Sequence, residues 1–448
     1  MGGRDGALAR RDVADGPGST LAGPAARQSG PVNTADPAGP ATAAPEGAHA
    51  LQGAPALTGI RVVELANFIA GPFIGMLLAD HGAEVIKVEA PGSGDGIRSW
   101  GGRKNGVGLY HKALNRNKSS VTADLGTALG REAVRRLAAN ADVVIESFRP
   151  GTLERWGLGY DVLAALNPGL VLVRVSGFGQ TGPYRLRSGF GSLAEAMTGF
   201  AYTNGFPDRP PLLPGFALAD TTSGLAGAFL TMAALEARRA NGGRGQVVDL
   251  PIYDALLTML GPHVIEFDQL GTVQERSGSR LPLVSPRNTF RTRDGKWIAV
   301  SAGAHAVFRR LCAALDVPEL ADDPLFADNQ ARRQNADAIE QALQAAVGRF
   351  DQEDLVRRFA EHDAPAAPVY SVADLLADPH VAARENIVTV QDEELAGPVR
   401  MQNAIGKLSA NPARVERAGP GLGAQNRDIL IGQLGFTADE LAEAGISI

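Results

Sequence analysis

The chain lacks what a disulfide framework or a cysteine-rich metal site would require. Its 448 residues include one cysteine, Cys312, so an intrachain disulfide and a multi-cysteine metal site are both excluded. None of the seven histidines lies three or four residues from another, so no helical metal site is predicted. A single thiol fits a reducing compartment, and we expect a cytoplasmic protein.

Long apolar runs and an excess of positive charge are also missing. No stretch approaches the roughly 18 consecutive apolar residues of a membrane span, and the N-terminus lacks the compact apolar segment of a signal peptide. The formal net charge is -6, whereas nucleic-acid-binding domains usually carry a basic excess on one face. The composition therefore predicts a soluble protein that binds neither membranes nor nucleic acids.

The first 55 residues contain little that could build a core. They are rich in Ala, Gly and Pro, as in GPAARQSGPVNTADPAGPATAAPEG, and show no apolar period. Such a segment cannot bury enough surface to offset its ordering entropy, so residues 1–55 are predicted to be a disordered extension. A transit peptide is the alternative, although Asp5, Asp12, Asp15 and Asp36 conflict with the acid-poor composition of one.

From Leu57 onward, short apolar strands alternate with helical segments. IRVVEL and EVIKVE flank the helical spacing of GPFIGMLLADHG, and strands SSVTADL, DVVIESF and LVLVRVSGF follow at similar intervals. Alternation of this kind predicts a mostly parallel sheet covered on both faces. We therefore expect a large Rossmann-like α/β domain over residues 56–270.

The pattern changes after the segment from Ile252 to Leu270, which is predicted to be a single helix. Asp294-Gly295 joins NTFRTR to KWIAVS in a hairpin pattern. Residues 285–375 are therefore predicted to form a smaller α+β domain. Residues 386–448 show no core pattern of their own, and we expect them to return to the large domain.

Several common sites are missing from the expected places. The first βα turn, ANFIAGP, lacks the G-x-G-x-x-G that lets a pyrophosphate approach the helix, although Glu89 lies where a ribose-binding acid would follow. No G-x-x-x-x-G-K-[ST] occurs, and SGFGSLA gives only a broken nucleophile elbow. No tightly bound cofactor is expected, and carboxylates remain as the candidates for chemistry.

The most suggestive carboxylate is Asp220, in GFALADTTSG. It follows an apolar run and precedes apolar residues at helical spacing, so it is predicted to lie at a helix start. There it can act as an N-cap, because an aspartate side chain accepts bonds from the unpaired backbone N–H groups. It can also do chemistry, and the sequence pattern alone leaves both interpretations open.

Six stretches occur in a fixed order along the chain: LTGIRVVELANFIAGPFIGMLLADHGAEVIKVEAPGSGD, LNRNKSSVTADL, VVIESFRPGTLERWGLGYD, VSGFGQTGPY, GFALADTTSGLAGAFLTMAAL and GRGQVVDLPIYDALL. Together they resemble the family III CoA-transferases, a group that includes the formyl-CoA, carnitine and dicarboxylate CoA-transferases. The resemblance runs from about Leu57 to the C-terminus and is densest before residue 260.

The resemblance implies a fold, an assembly and a set of site residues. It implies a Rossmann-like large domain with a smaller domain, an interlocked homodimer, and acyl-CoA and a carboxylic acid as substrates. It assigns the catalytic nucleophile to Asp220. The positions that match the family's CoA pocket are Phe68, Ile69, Ala70, Ala123, Asp124, Leu125, Ser147, Phe148 and Arg155.

The chemistry agrees with what the residues allow. A carboxylate can attack an acyl thioester to give a mixed anhydride and CoA thiolate, and the thiolate can return to give an aspartyl-CoA thioester. An acceptor acid then reverses the sequence. A helix N-terminus beside the carboxylate favours its ionised form, so capping and nucleophilic roles are compatible.

Two features depart from the pattern of some family members. Ile69 stands where some of them carry a glutamine that holds the reacting carboxylate. Residues 271–285 contain scattered glycines in place of a glycine-run loop that covers the site.

Other functions of the same fold stay open. The 2-methylacyl-CoA racemases carry a histidine soon after the motif matching VSGFGQTGPY, and RLRSGFGSLAEAMTG contains none. A CoA-binding protein without catalytic activity is a third hypothesis. Arg187 and Arg287 are candidates for gripping a second carboxylate, with simple surface exposure as the alternative. We favour a small dicarboxylic acid such as succinate as a substrate.

Overall fold

A six-stranded parallel sheet lies at the centre of the structure, a computed structural model that describes residues 53–448. The predicted extension over residues 1–55 falls almost entirely outside the described residues. The strands are β1 (Arg61–Glu64), β2 (Glu84–Glu89), β3 (Arg103–Lys104), β4 (Val107–Gly108), β5 (Ser119–Thr122), β6 (Val143–Glu146), β7 (Val171–Ser176), β8 (Val247–Pro251), β9 (Arg287–Arg291), β10 (Trp297–Ser301), β11 (Ala366–Pro368), β12 (Ile387–Asp392) and β13 (Gly397–Gln402).

Helices cover this sheet and build the rest of the chain. They are α1 (Ala70–Asp80), α2 (Leu109–Leu114), α3 (Ala128–Ala139), α4 (Thr152–Arg155), α5 (Tyr160–Leu166), α6 (Gly191–Met197), α7 (Phe200–Thr203), α8 (Leu218–Ala240), α9 (Ile252–Thr258), α10 (His263–Leu270), α11 (His305–Ala314), α12 (Asn329–Gln334), α13 (Ala336–Val347), α14 (Gln352–Glu361), α15 (Val372–Ala377), α16 (Pro379–Ala383) and α17 (Ala438–Glu443). Short 3-10 turns at Gly96–Ser99, Pro318–Ala321 and Pro324–Phe326 and a π-helical turn at Arg427–Gln433 complete the set.

The central sheet has the strand order β5-β2-β1-β6-β7-β8, with every neighbouring pair parallel. Adjacent side chains on a strand point to opposite sides of the sheet. Because the strands are apolar at consecutive positions, both faces of the sheet bury apolar side chains. Val62 packs with residues of α1 and α8, and Val63 packs with residues of α3 and α5. This two-sided burial explains the continuous apolar strands, and it confirms the predicted α/β class with a parallel sheet.

Two helix predictions need correction. The predicted single helix from Ile252 to Leu270 is wrong, because α9 ends at Thr258 and α10 begins at His263. Gly261 has a positive φ of 65°, and Pro262 cannot donate a helical hydrogen bond, so the helix cannot run through them. The helix predicted to begin at Asp220 begins at Leu218 instead.

A second, antiparallel sheet is formed by β9, β10 and β11. As the Asp294-Gly295 turn predicts, β9 and β10 pair as a hairpin, with Arg291 opposite Trp297. Helices α11, α13 and α14 pack on this sheet around a core of its own that includes Phe308, Leu343 and Phe359.

The C-terminal segment contacts the central sheet through both polar and apolar groups. The Asn426 side chain accepts a hydrogen bond from the Thr122 N–H at 2.8 Å, and Leu430 and Leu441 join the core on the α3 side. Strands β12 and β13 pair as an antiparallel hairpin whose cluster includes Val390 and Met401. The expectation that residues 386–448 lack a core pattern is therefore wrong for this hairpin.

Within residues 53–448, only α8 has the length and hydropathy of a helix that could cross a membrane, with mean hydropathy 1.2 over its most apolar window. It packs along α1, α9 and the sheet, as a helix of a protein core does.

Candidate functional site

The candidate site lies where the strand order of the central sheet reverses. The chain runs outward from β1 in both directions, so the crevice beyond the ends of β1 and β6 is the usual ligand position of such a sheet. A cleft of about 230 Å³ opens there. It is lined by Asn67, Phe68, Ser147, Phe148, Arg149, Pro150, Ser176, Gly177, Arg185, Arg187, Ser188, Gly189 and Phe190.

The structure brings some of the predicted CoA-pocket residues together in this cleft. Phe68 follows β1, and Ser147 and Phe148 follow β6, so neighbouring parallel strands deliver them to one edge. The Asn67 backbone N–H donates to Ser147 Oγ at 2.9 Å and ties the two turns to each other. Arg187 joins them in the lining of the same cleft.

The other predicted CoA-pocket positions lie outside the cleft lining. Ile69, Ala70 and Ala123 are buried, and Leu125 packs against the core on the α3 side. Asp124 is exposed, and its Oδ1 accepts a hydrogen bond from the Gly126 N–H at 2.8 Å. Arg155 is also exposed and donates to Thr152 Oγ1 at 2.9 Å.

Three arginines give the cleft a positive charge. Arg149 donates to Ser188 Oγ at 2.7 Å, and the Arg187 guanidinium lies 3.6 Å from the centre of the Tyr184 ring. Neither these two nor Arg185 forms an ion pair with an acid of residues 53–448. Guanidinium groups without an acidic partner suit a phosphate or carboxylate ligand.

Arg287 lies in a different part of the chain. It is the first residue of β9, donates to the Ser279 carbonyl at 2.7 Å, and lines two cavities of about 510 and 500 Å³ beside the smaller sheet. Neither cavity shares a lining residue with the cleft that holds Arg187. The structure therefore does not bring Arg187 and Arg287 into one cavity.

Asp220 is the third residue of α8 and does not cap it. Ala217 occupies the N-cap position and makes no side-chain cap hydrogen bond, so the N-cap interpretation of Asp220 is wrong. One of the unpaired N–H groups at this helix start is satisfied from another helix, because Glu195 of α6 accepts from the Ala219 N–H at 3.1 Å. The Asp220 carboxylate is thereby left free for another role.

The electrostatic setting of Asp220 is that of a partly desolvated acid. Its side chain is half-buried, and within residues 53–448 it makes no hydrogen bond or ion pair. Burial, with a further contribution from Glu195, raises the pKa of Asp220 to about 6. Burial and the charge of Asp220 together raise the pKa of Tyr110, which lies near it.

Gly191 leaves the space that the Asp220 carboxylate occupies. A Cβ atom built on Gly191 would lie 2.3 Å from Asp220 Oδ2, so any side chain there would displace the carboxylate. The residue before it, Phe190, lines the cleft and contacts the Phe68 ring edge to face at 6.2 Å between centroids. The cleft and the free carboxylate are therefore adjacent.

Sequence reasoning missed Gly191, Glu195, Arg149 and Arg185. Gly191 and Glu195 are four residues apart, which places them on one face of α6. The spacing indicates that both residues face Asp220 only when α6 is known to pack against α8. Arg149 lies in the stretch VVIESFRPGTLERWGLGYD, but its charge has no recognisable local partner.

The strand order and the cleft at its reversal point define an α/β protein with a doubly wound parallel sheet. The model of CoA-transferase family III matches residues 57–426. The chain is 46% identical over 389 residues to succinyl-CoA--D-citramalate CoA-transferase of Chloroflexus aurantiacus, covering 86% of this chain and 96% of that protein. Succinate--glutarate CoA-transferase of Agrobacterium fabrum is 36% identical over 383 residues, covering 84% and 95%.

The likeness extends to three dimensions. A crystal structure of a CAIB/BAIF family protein from Brucella suis superimposes with a TM-score of 0.76 at 35% identity, covering 85% of this chain and all of that one (100%). The chain belongs to CoA-transferase family III and is an enzyme of the CoA-transferase type.

Proposed function

We propose that the protein transfers CoA between two small dicarboxylic acids, with Asp220 as the nucleophile and succinyl-CoA as the donor. The observation that carries the nucleophile assignment is the half-buried Asp220 carboxylate beside a cleft with three arginines, none of which forms an ion pair within residues 53–448. The dicarboxylate assignment rests on relatives named as succinyl-CoA--D-citramalate, succinyl-CoA--L-malate and succinate--glutarate CoA-transferases.

The first half of the reaction loads CoA onto the enzyme. An Asp220 oxygen attacks the thioester carbonyl, the C–S bond breaks, and CoA leaves as thiolate, giving a mixed anhydride of Asp220 and the donor acid. The thiolate then attacks the Asp220 acyl carbon of the anhydride. The C–O bond breaks, the donor acid leaves as carboxylate, and Asp220 is held as its CoA thioester.

The second half reverses these steps with the acceptor acid. Its carboxylate attacks the aspartyl thioester and releases the thiolate, which then attacks the acceptor's acyl carbon and frees Asp220. Every attacking and leaving group is a carboxylate or a thiolate, so no net proton is taken up. The positive end of the α8 dipole acts on Asp220 in the opposite direction to burial and Glu195, which raise its pKa to about 6, and Asp220 is ionised above that pH.

The cleft residues fit the anionic parts of the substrates. Phe68 and Phe148 offer apolar surface to the CoA chain, and Arg149, Arg185 and Arg187 offer bidentate donors to its phosphates or to the distal carboxylate of a dicarboxylic acid.

Racemisation of an acyl-CoA is disfavoured by the composition of the cleft. That reaction needs a base beside the α-carbon, and the cleft lining contains no histidine. The buried His111 is bound to the Pro420 carbonyl and to Asn115, and burial with nearby cations lowers its pKa to about 4. Incorporation of solvent deuterium at the α-carbon without any acceptor acid would favour the racemase.

The nucleophile is tested by Asp220→Asn, because an amide cannot form the anhydride at a useful rate. We expect kcat to fall by at least about a thousandfold, as when an essential nucleophile is removed. CoA binding and folding should be retained. The matched control is Asp254→Asn, since Asp254 is the third residue of α9 just as Asp220 is of α8.

A trapping experiment locates the covalent intermediate independently. Wild-type protein incubated with succinyl-CoA and then with hydroxylamine or borohydride should be modified on the peptide that contains Asp220. Modification of another carboxylate, or full activity of Asp220→Asn, would show that the nucleophile lies elsewhere. The same assay with succinate, glutarate, malate and citramalate as acceptors tests the substrate class.

A further inference from the structure

Five buried charged groups and one partly buried arginine lie together beneath the first turn of the central sheet. Glu64, Glu89 and Asp95 supply three negative charges, and Lys87, Lys118 and Arg98 supply three positive ones. Four of them, Glu64, Lys87, Asp95 and Lys118, have at most 1% of their surface exposed. Burying charges on this scale is costly unless each is paired, and no step of CoA transfer proposed above uses any of them.

The ion pairs form two sets, which are linked by the hydrogen bond from the Asp95 N–H to Glu89 Oε2. Lys87 Nζ contacts Glu64 Oε1 at 2.9 Å and Asp95 Oδ2 at 2.8 Å, and Lys118 Nζ contacts Glu64 Oε2 at 2.8 Å. Arg98 forms two 2.7 Å hydrogen bonds to Glu89. Burial alone would lower the pKa of Lys87, but the neighbouring carboxylates raise it well above its ordinary value, so the ammonium stays charged.

The cluster holds the backbone of the turn between β1 and α1 at two points, on either side of Asn67. Lys87 Nζ donates to the Ala66 carbonyl at 2.7 Å, and the Phe68 N–H donates to Asp95 Oδ1 at 2.9 Å. Asp95 is fixed in turn, because its own N–H donates to Glu89 Oε2 at 3.0 Å. The turn that lines the cleft is thus supported from beneath by β2 and by the loop after it.

The conformation of Phe68 needs such support. Its φ is 64°, in the left-handed region that a residue with a Cβ atom adopts at a cost. The ring is also confined, because a Cβ atom on Gly96 would lie 2.7 Å from it and the Trp100 ring centroid lies 5.2 Å away. Through its edge-to-face contact with Phe190, it reaches the residue that precedes Gly191.

We infer that Asp95, paired with Lys87, is a positioning residue that keeps Phe68 in its left-handed conformation and so shapes the CoA-binding cleft. The inference rests on the proposed function only in taking this cleft as the CoA site. Loss of the Asp95 charge leaves Lys87 with Glu64 as its remaining carboxylate contact and weakens the bond to the Phe68 N–H, so the turn can relax to an ordinary conformation. The cleft would then be misaligned, while Asp220 keeps its own supports on α6 and α8.

The test compares Asp95→Asn with Asp80→Asn. Asp80 is the last residue of α1, equally buried, and paired with Arg116 at 2.6 Å, but it lies at the helix end farthest from the turn. Both variants should be less stable to heat. Only Asp95→Asn should weaken the binding of free CoA, measured by calorimetry, and raise the KM for succinyl-CoA, each by about tenfold or more, as expected when a charge-assisted contact is lost.

Gly96→Ala provides a second variant that removes no charge. Its added methyl group would press on the Phe68 ring, so it should weaken CoA binding with little loss of stability. Wild-type CoA affinity in both Asp95→Asn and Gly96→Ala, or equal weakening in Asp80→Asn, would overturn the inference. If Asp95→Asn does not fold, Gly96→Ala decides alone. Turnover of Asp220→Asn tests the nucleophile separately, because CoA binding does not depend on that result.

Discussion

The Asp220 carboxylate is half-buried and forms no ion pair with any residue from 53 to 448. Burial raises its pKa, and the nearby charge of Glu195 raises it further. Glu195 is 2% exposed and approaches the start of α8 through its bond to the Ala219 N–H. It satisfies the helix end and also places a second negative charge near the first. Both effects come from Glu195. One turn earlier on α6, Gly191 leaves the space that the Asp220 carboxylate occupies.

This arrangement predicts a pH dependence of turnover. The nucleophile must be ionised, and burial together with Glu195 raises the pKa of Asp220 to about 6. We therefore expect kcat/KM for the acyl-CoA to be constant above neutral pH and to fall about tenfold per pH unit below pH 6. A profile with its inflection near pH 4, the ordinary range of an aspartate, would contradict this environment.

Glu195→Gln separates the two causes of the shift. Glutamine keeps an oxygen that can accept from the Ala219 N–H but removes the charge, so the inflection should move to lower pH while remaining above the ordinary aspartate value, because burial is unchanged. Glu236→Gln, at an exposed position of α8, is the control and should leave the profile unmoved.

At this scale, the sequence identifies residues in a recognisable motif and misses those that act across the fold. GFALADTTSG predicts Asp220 at a helix start, and its resemblance to a family motif assigns it the nucleophile, but the structure places Asp220 third in α8. An aspartate is favoured both at the N-cap and in the first turn, so composition cannot distinguish the two. Asp95 and Glu195 bind backbone N–H groups 27 and 24 residues away, and no local pattern encodes such contacts.

Helices α1 and α8 are the elements that set the position of the site. Glycines allow them to approach closely, since a Cβ atom on Gly224 would lie 2.6 Å from Phe73, and one on Gly227 would lie 2.3 Å from Ile74 and 2.9 Å from Leu250. The buried face of α8 consists mainly of small residues. Its N-terminal turn, with Asp220, is thereby held against the sheet.

Gly227→Val should test this packing. The added side chain overfills the space between α8, α1 and β8, so we expect the free energy of unfolding to fall by about 1–3 kcal/mol. Activity should fall as well if the start of α8 moves. Ala240→Val, at the exposed end of the same helix, is the control for the effect of a β-branched residue. Equal stability of the two variants in denaturant titration would show that the contact is not tight.

The elements of the central sheet could be predicted because each strand is a short apolar run between turn residues. The EVIKVE segment matches β2 residue for residue.

The division of α9 from α10 and the β12–β13 hairpin are not predicted by the apolar pattern of the sequence. Gly261-Pro262 interrupts an apolar pattern that by itself predicts one helix, and β12–β13 is stabilised by a small cluster of residues that includes Val415 and Ala418, beyond the hairpin itself.

On the scale of the whole molecule, large apolar side chains point away from the protomer. On α8, Leu225, Phe229 and Met232 are exposed, with Phe229 at 71%. Helix α10 has no buried residue, and its Leu270 is 74% exposed. Apolar surface of this extent marks an interface more often than a free surface. We propose that a second copy of the chain covers it, in the interlocked homodimer that the sequence resemblance implies.

Size-exclusion chromatography with light scattering should therefore give a dimer. Interlocked chains cannot separate without unfolding, so the dimer should persist on dilution well below micromolar concentration. Phe229→Glu places a charge on the exposed face of α8 and should reduce the yield of dimer. Val372→Glu, at an equally exposed position (75%) on α15, should not. A monomer that forms reversibly on dilution would show that the two chains meet at an ordinary surface and are not interlocked. A monomer at every concentration would contradict the proposal that a second copy covers the apolar faces of α8 and α10.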